Sequence, residues 1–161
     1  MVCIMDEALE LEVGHRVLEI GAGSGWHAST IAEIVSPTGA PKEEWGQVYT
    51  VERVPELAEF ARKNIEKLGY GDRITVICGD GSLGCPEKAP YDRVLVTAAA
   101  PDIPEPLIDQ LRCGGVLVIP VGGVHLYQNL VRVRKKDGKI FEENLGGVAF
   151  VPLIGKHGFE S

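Results

Sequence analysis

A chain of 161 residues, 45% hydrophobic and 24% charged, has the length of one domain, taken here as 1–161, with room for a single core of the α/β kind. Sixteen Lys and Arg against 23 Asp and Glu leave a formal charge of −7, the wrong sign for gripping a nucleic-acid backbone, so no nucleic-acid partner is expected. Apolar runs are no longer than a strand and the first residues form neither a signal peptide nor a basic leader, which argues against a membrane partner and for a soluble, cytoplasmic protein. Cys3, Cys78, Cys85 and Cys113 contain no C-x-x-C pair. Three of them lie in or beside apolar segments, so buried, reduced thiols are expected. His15, His27, His125 and His157 lack metal-ligand spacing, and no metal site is proposed.

Taken in chain order, Val2 to Leu11 places Ile4, Ala8 and Leu11 on one face of a short helix, with Met5 and Leu9 beside them and Gly14 ending it. Arg16 to Ile20 follows as a buried strand interrupted by one carboxylate, Glu19. The loop Gly21-Ala22-Gly23-Ser24-Gly25 opens a helix that turns Ala28, Ile31, Ala32 and Val35 inward. Pro37, Gly39, Pro41 and Gly46 exclude regular structure between Ser36 and Gly46, and the strand Gln47 to Glu52 emerges with Glu52 at its carboxyl end. Pro55 starts a helix with Leu57, Ala61, Ile65 and Leu68 inward, stopped by Gly69. Ile74 to Ile77 is a third strand, leading to the turn Gly79-Asp80-Gly81, and Arg93 to Thr97 is a fourth. A helix from Pro104 to Arg112 leads through Gly114-Gly115 into the strand Val116 to Ile119. Alternation over Leu130 to Arg134, a hairpin at Asp137-Gly138 and a last strand from Val148 to Leu153 place antiparallel strands at one edge.

Near-continuous apolar strands alternating with helices, with a hairpin at the end, predict an α/β fold: a doubly wound, mostly parallel sheet with antiparallel strands at one edge. Such sheets bind ligands beyond the carboxyl ends of their strands, near the switch point. Gly21 to Gly25, Glu52, Asp80 and Thr97 all fall there. A glycine loop running into a helix lets backbone N–H groups approach a ligand that any Cβ would hold off. Dinucleotide-binding domains space those glycines as G-x-G-x-x-G, but here Trp26 follows Gly25, giving E-x-G-x-G-x-G from Glu19. That spacing resembles S-adenosylmethionine-dependent methyltransferases. For each feature alone a structural alternative stands: a tight turn for the glycines, a helix cap for Asp80, a β-propensity choice for Thr97.

The blocks Val17 to Trp26, Gly79 to Gly84, Ala89 to Arg93, Thr97 to Pro101, Ile119 to Gly122 and Phe150 to Leu153 resemble, in order, those of protein-L-isoaspartate O-methyltransferases. The resemblance implies a seven-stranded, Rossmann-like methyltransferase sheet and S-adenosyl-L-methionine as cofactor, held by Glu19, Gly21, Gly23, Ser24, Gly25, Glu52, Asp80 and Gly81. Glu52 would take the ribose hydroxyls, Asp80 the adenine amino group, and Glu19 would face the methionine end. It implies as partners proteins or peptides carrying L-isoaspartyl residues, whose methylation leads to repair, with Thr97 the candidate contact to the substrate carboxylate. Two departures are expected to matter differently. The Ser36 to Trp45 loop is longer than usual and reads as a harmless surface insertion, whereas the family's Q-T-I-S-x-P-like stretch would lie ahead of Met1, so cofactor binding with weak methylation is expected. The alternatives are a binding-only module, an NAD-dependent oxidoreductase, and a related methyltransferase of a small molecule or RNA.

Overall fold

The computed structural model describes residues 1–161. The strand β1 (Arg16–Ile20) lies mid-sheet, with β2 (Gln47–Glu52) and β3 (Ile74–Cys78) on one side. On the other side follow β4 (Tyr91–Val96), β5 (Leu111–Gly122), β6 (Gln128–Lys136) and β7 (Lys139–Val148), in the order β3-β2-β1-β4-β5-β6-β7. Strands β1 to β5 pair in parallel, while β6 and β7 run antiparallel at one edge. The chain leaves β1 toward β2 and β3, then returns to the opposite flank at β4, so the loops after β1 and β4 diverge and open a crevice between them.

Helices α1 (Val2–Leu9), α2 (Trp26–Val35) and α3 (Pro55–Lys67) pack one apolar layer with Val17, Val48, Leu95 and Val118. Helix α4 (Glu105–Gln110) and the turns after β3 cover the other layer, with Leu18, Val94, Leu117 and Ile119. Strands buried on both faces must be apolar throughout, and β1 obeys this at Val17, Leu18 and Ile20. Glu19 breaks the rule inside the sheet. No helix is long and apolar enough to cross a membrane.

Strands β1 and β2 occupy the residues that hydropathy predicts. Several other expectations are corrected. Helix α1 buries Met5, Ala8 and Leu9 while Ile4 faces solvent, because the buried stripe runs through Met5 and Leu9. In α3 the small residues Ala58 and Ala61, with Ile65, approach the sheet; Leu57 and Leu68 are exposed. Helix α4 is shorter than predicted because Leu111 already belongs to β5, buried opposite Tyr91 of β4. The hairpin at Asp137-Gly138 zips Lys136 against Lys139 and continues to Gln128 against Val148, so the last strand is the polar 139–148 and not 148–153. The apolar stretch beyond it crosses the strand ends instead, where Ala99 N–H donates to Val151 O (2.8 Å) and Leu153 N–H to Ala99 O (2.7 Å), and of its side chains only Leu153 is buried. Of the four thiols only Cys85 is buried. Cys3 lies on the outer side of α1, Cys78 ends the edge strand and Cys113 sits in an exposed stretch of β5, so neighbouring apolar residues did not imply burial. The long loop after α2 is pinned rather than loose: the nearly buried Arg73 guanidinium lies 4.7 Å over the Trp45 ring and donates to Ser36 O at 2.9 Å.

Candidate functional site

The glycine loop is fixed from both flanking strands. Gly21 N–H donates to Val51 O of β2 at 2.8 Å, and Ile20 O accepts from Thr97 N–H just past β4 at 3.0 Å. Thr97 Oγ1 also lies 3.0 Å from both Ile20 O and Gly21 O. A hydroxyl has one proton, so it serves these carbonyls alternately and braces the loop. Gly21, Gly23 and Gly25 take φ of 98°, 52° and 82°, a region L residues occupy only with strain. At Gly21 a Cβ would come within 2.5 Å of Thr97 Oγ1, so glycine is required there for space as well as for conformation. Farther along, Asn64 of α3 donates to Ser24 O at 2.9 Å, which fixes the loop's outer side.

The two strand-end glutamates have opposite environments. Glu52, the last residue of β2, accepts from Gly23 N–H through Oε2 (3.1 Å) and from Val54 N–H through Oε1 (3.1 Å), and it borders an open cavity. Each of its oxygens keeps one lone pair toward that cavity. Glu19 is one residue short of the end of β1 and is 0% exposed. Its Oε1 accepts from Thr50 Oγ1 at 2.5 Å across the β1–β2 register, while Oε2 has no partner. Burial pushes its carboxyl up to about 7, against the opposing pulls of His27 and the Thr50 hydrogen bond.

Asp80 has work of its own. Its Oδ1 accepts from Ser82 N–H (2.9 Å) and Ser82 Oγ (2.7 Å), capping the turn after β3, and its Oδ2 accepts from Lys156 N–H (2.9 Å). Burial alone would raise its carboxyl, but the donors from Lys156 and Ser82 hold it below its ordinary value. One lone pair on Oδ2 is unused. Gly81 is buried against the side chain of Ile20, where any Cβ would collide.

Two cavities meet over the glycine loop. The larger, about 360 Å³, runs from Gly21 and Gly23 past Glu52, Val54 and Leu57 to Gly81, and is closed by the strip Val151–Ile154. The smaller, about 290 Å³, lies on the other side of the loop between Met1, Met5, Trp26, His27 and Phe150, and shares Gly21, Gly23 and Thr97 with the first. The structure thus gathers Gly21, Gly23, Glu52, Gly81 and Thr97 around one cleft, with Ser24 lining its smaller part. It places Asp80 just outside, in a neighbouring cavity beside Gly79 and Leu83, and Glu19 beneath the floor.

Other site residues carry no sequence signal of that role. The Val151–Ile154 wall reads as a strand and, through Leu153, as part of a family-like block, but neither marks it as lining a cavity. Asp6 of α1 and His27 of α2, whose Nε2 and Oδ1 are 2.7 Å apart beside the smaller cavity, lie on separate helices; the sole hint is a charged residue on the buried side of α1, next to Met5.

Residues 1–158 match the model of the family described as protein-L-isoaspartate(D-aspartate) O-methyltransferase. The chain is 58% identical over 159 residues to a protein-L-isoaspartate O-methyltransferase of Hyperthermus butylicus, covering 99% of this chain and 66% of that protein. It is 58% identical over 161 residues to one of Thermococcus onnurineus, covering 99% and 69%. It therefore spans about two thirds of the length of the curated relatives it matches. A solved protein-L-isoaspartate O-methyltransferase superposes with a TM-score of 0.86 at 32% identity, covering 98% of this chain and 47% of the other. A Plasmodium falciparum structure of that description, in complex with S-adenosyl-L-homocysteine, gives 0.79 at 27% identity over 95% and 71%.

Proposed function

Because the chain belongs to the protein-L-isoaspartate O-methyltransferase family, we propose that it binds S-adenosyl-L-methionine over the carboxyl ends of β1, β2 and β4 and methylates the carboxylate of L-isoaspartyl residues in damaged proteins. Glu52 is the observation that carries the reading. Two backbone N–H groups fix its carboxylate, and the one remaining lone pair on each oxygen suits two neighbouring hydroxyls such as a ribose diol. Around it Gly21, Gly23 and Gly81 keep the cavity floor free of side chains, and the space suits an adenosine. In this reading Gly21, Gly23, Ser24 and Gly25 shape the loop under the methionine portion, and Asp80 offers its one unused lone pair to the adenine amino group. Glu19 supports the loop from below.

When bound, S-adenosylmethionine supplies a methyl group on a positively charged sulfur. The protein's own work is orientation and exclusion of water. A substrate carboxylate with an ordinary pKa near ~4 is already ionised at neutral pH, so no general base is required. Thr97 Oγ1 lies where the two cavities meet; it reaches a substrate carboxylate only by turning its proton away from the Ile20 and Gly21 carbonyls. We place the protein in a reducing cytoplasm, which its four free thiols, three of them exposed, support.

The test pairs two measurements on this chain: calorimetric binding of S-adenosylmethionine, and transfer of labelled methyl to an isoaspartyl peptide and to its normal aspartyl twin. Binding with transfer to the isoaspartyl peptide alone is expected. Binding with no transfer would instead assign the chain a cofactor-holding role, and equal labelling of both peptides would refute the substrate.

A further inference from the structure

The two ends of α1 are held differently. At its carboxyl end, Leu9 O and Ala8 O accept from the guanidinium groups of Arg93 and Arg132, and Glu10 pairs with Arg134. Met1, just ahead of the helix, and Val2 and Met5 of its first half supply the wall of the smaller cavity, and the helix's side-chain polar tie toward that cavity runs through Asp6 at its middle. That carboxylate meets His27 Nε2 at 2.7 Å, and its second oxygen lies 3.2 Å from Thr30 Oγ1. Both partners are side chains of α2, and His27 is two residues past Gly25, where the glycine loop becomes helix. The pair is well shielded, the side chains being 12% and 11% exposed, so the bond is little weakened by water or salt.

We propose that Asp6 and His27 are positioning residues for the methionine portion of the cofactor, setting the width of the smaller cavity by tying the middle of α1 to the start of α2. The inference rests on the cofactor reading above. Neither residue belongs to the glycine loop or to the strand-end acids, and both act through what they hold in place. Their charges reach a third group. Glu19 lies buried beneath the loop with one oxygen unpartnered; the charge of His27 favours its ionised form, while Asp6 and, from β2, Glu52 oppose it. A cationic ligand above the loop favours the ionised form as well, so affinity for S-adenosylmethionine should rise with pH through the titration of Glu19.

Two variants, Asp6→Asn and His27→Gln, separate positioning from a general brace. Calorimetry from about pH 5.5 to 8.5 compares S-adenosylmethionine with methylthioadenosine, which shares the nucleoside and lacks the amino-acid portion. Each variant should weaken S-adenosylmethionine by about fivefold to tenfold at neutral pH, the scale of one partly shielded hydrogen bond, and leave methylthioadenosine within about twofold. The midpoint of the pH dependence should move up in His27→Gln, where a cation is lost, and down in Asp6→Asn, where an anion is lost. A structural brace alone would lower the melting temperature of both without that opposite movement. Should either fail to fold, Thr30→Val, which removes the neighbour of the second Asp6 oxygen, should show the same ligand selectivity more weakly. Equal losses for both ligands, or midpoints that stay put, overturn the proposal while leaving the cofactor reading intact. A chain that binds neither ligand overturns both.

Discussion

Replacing Glu52 by alanine removes the carboxylate that joins β2 to the glycine loop and faces the larger cavity. Two effects must be separated. Gly23 N–H and Val54 N–H each lose an acceptor 3.1 Å away; both border a cavity open to water, so solvent can replace the acceptor and the stability loss should stay near ~1 kcal/mol. Binding loses more, since hydrogen bonds to a charged acceptor contribute about 1.5–3 kcal/mol, and an affinity drop of roughly 10- to 150-fold follows. Calorimetry with S-adenosylhomocysteine measures the drop, and an analogue lacking both ribose hydroxyls supplies the control. That analogue should bind wild type weakly and be nearly indifferent to Glu52→Ala. If the substitution weakened the two ligands equally, Glu52 would be acting by shaping the Gly23 loop, and unchanged affinity for S-adenosylhomocysteine would remove the ribose assignment altogether.

Asp80→Ala should lower the melting temperature by the equivalent of about 1–3 kcal/mol, because it releases the Ser82 cap and the Lys156 tether together; a variant as stable as wild type but blind to adenine would reverse that ranking of its roles. As the carboxyl of Asp80 is held below its ordinary value, its contribution is present above the unfolded-state value near ~3.9 and is lost as pH falls through the folded one, so wild type and variant should converge in acid. Glu19 has the opposite sign. With its carboxyl pushed up to about 7, the folded state holds a proton that the unfolded state releases, so this contribution is lost as pH rises from about 4.5 through 7. Melts of Glu19→Gln should show that slope flattened, with the variant gaining on wild type as pH rises from about 4.5 to 7 and the difference levelling off above; parallel curves would rule out a neutral Glu19.

Much of the site was legible because strand ends and glycine spacing are local signals. Glu19 and Glu52 show where local signals stop. Both are acids near the end of an apolar strand, yet Glu52 is the terminal residue and turns to the rim, while Glu19 precedes Ile20 and stays between β1 and the helical layer. A shift of one residue separates a carboxylate that borders the cavity from one buried beneath it, and no composition rule resolves it. Asp80 finds its partner 76 positions away at Lys156, and Asp6 meets His27 only because two helices share one face of the sheet. The Val151–Ile154 wall was misread for a related reason: β-branched, apolar residues suit a strand, and the sheet edge had already been filled by the more polar 139–148.

The same geometry bears on the choice between a cationic nucleoside cofactor and a dinucleotide. In a phosphate-binding glycine loop the backbone N–H groups must be free to face an anion. Here the N–H of the middle glycine, Gly23, is directed at Glu52 Oε2, so a pyrophosphate over the loop would meet a carboxylate where it needs a donor. At about 4 Å and an effective dielectric near 20, two like unit charges repel by about 4 kcal/mol. The acid that suits the ribose in either cofactor is therefore, by its second oxygen, also the feature that disfavours NAD.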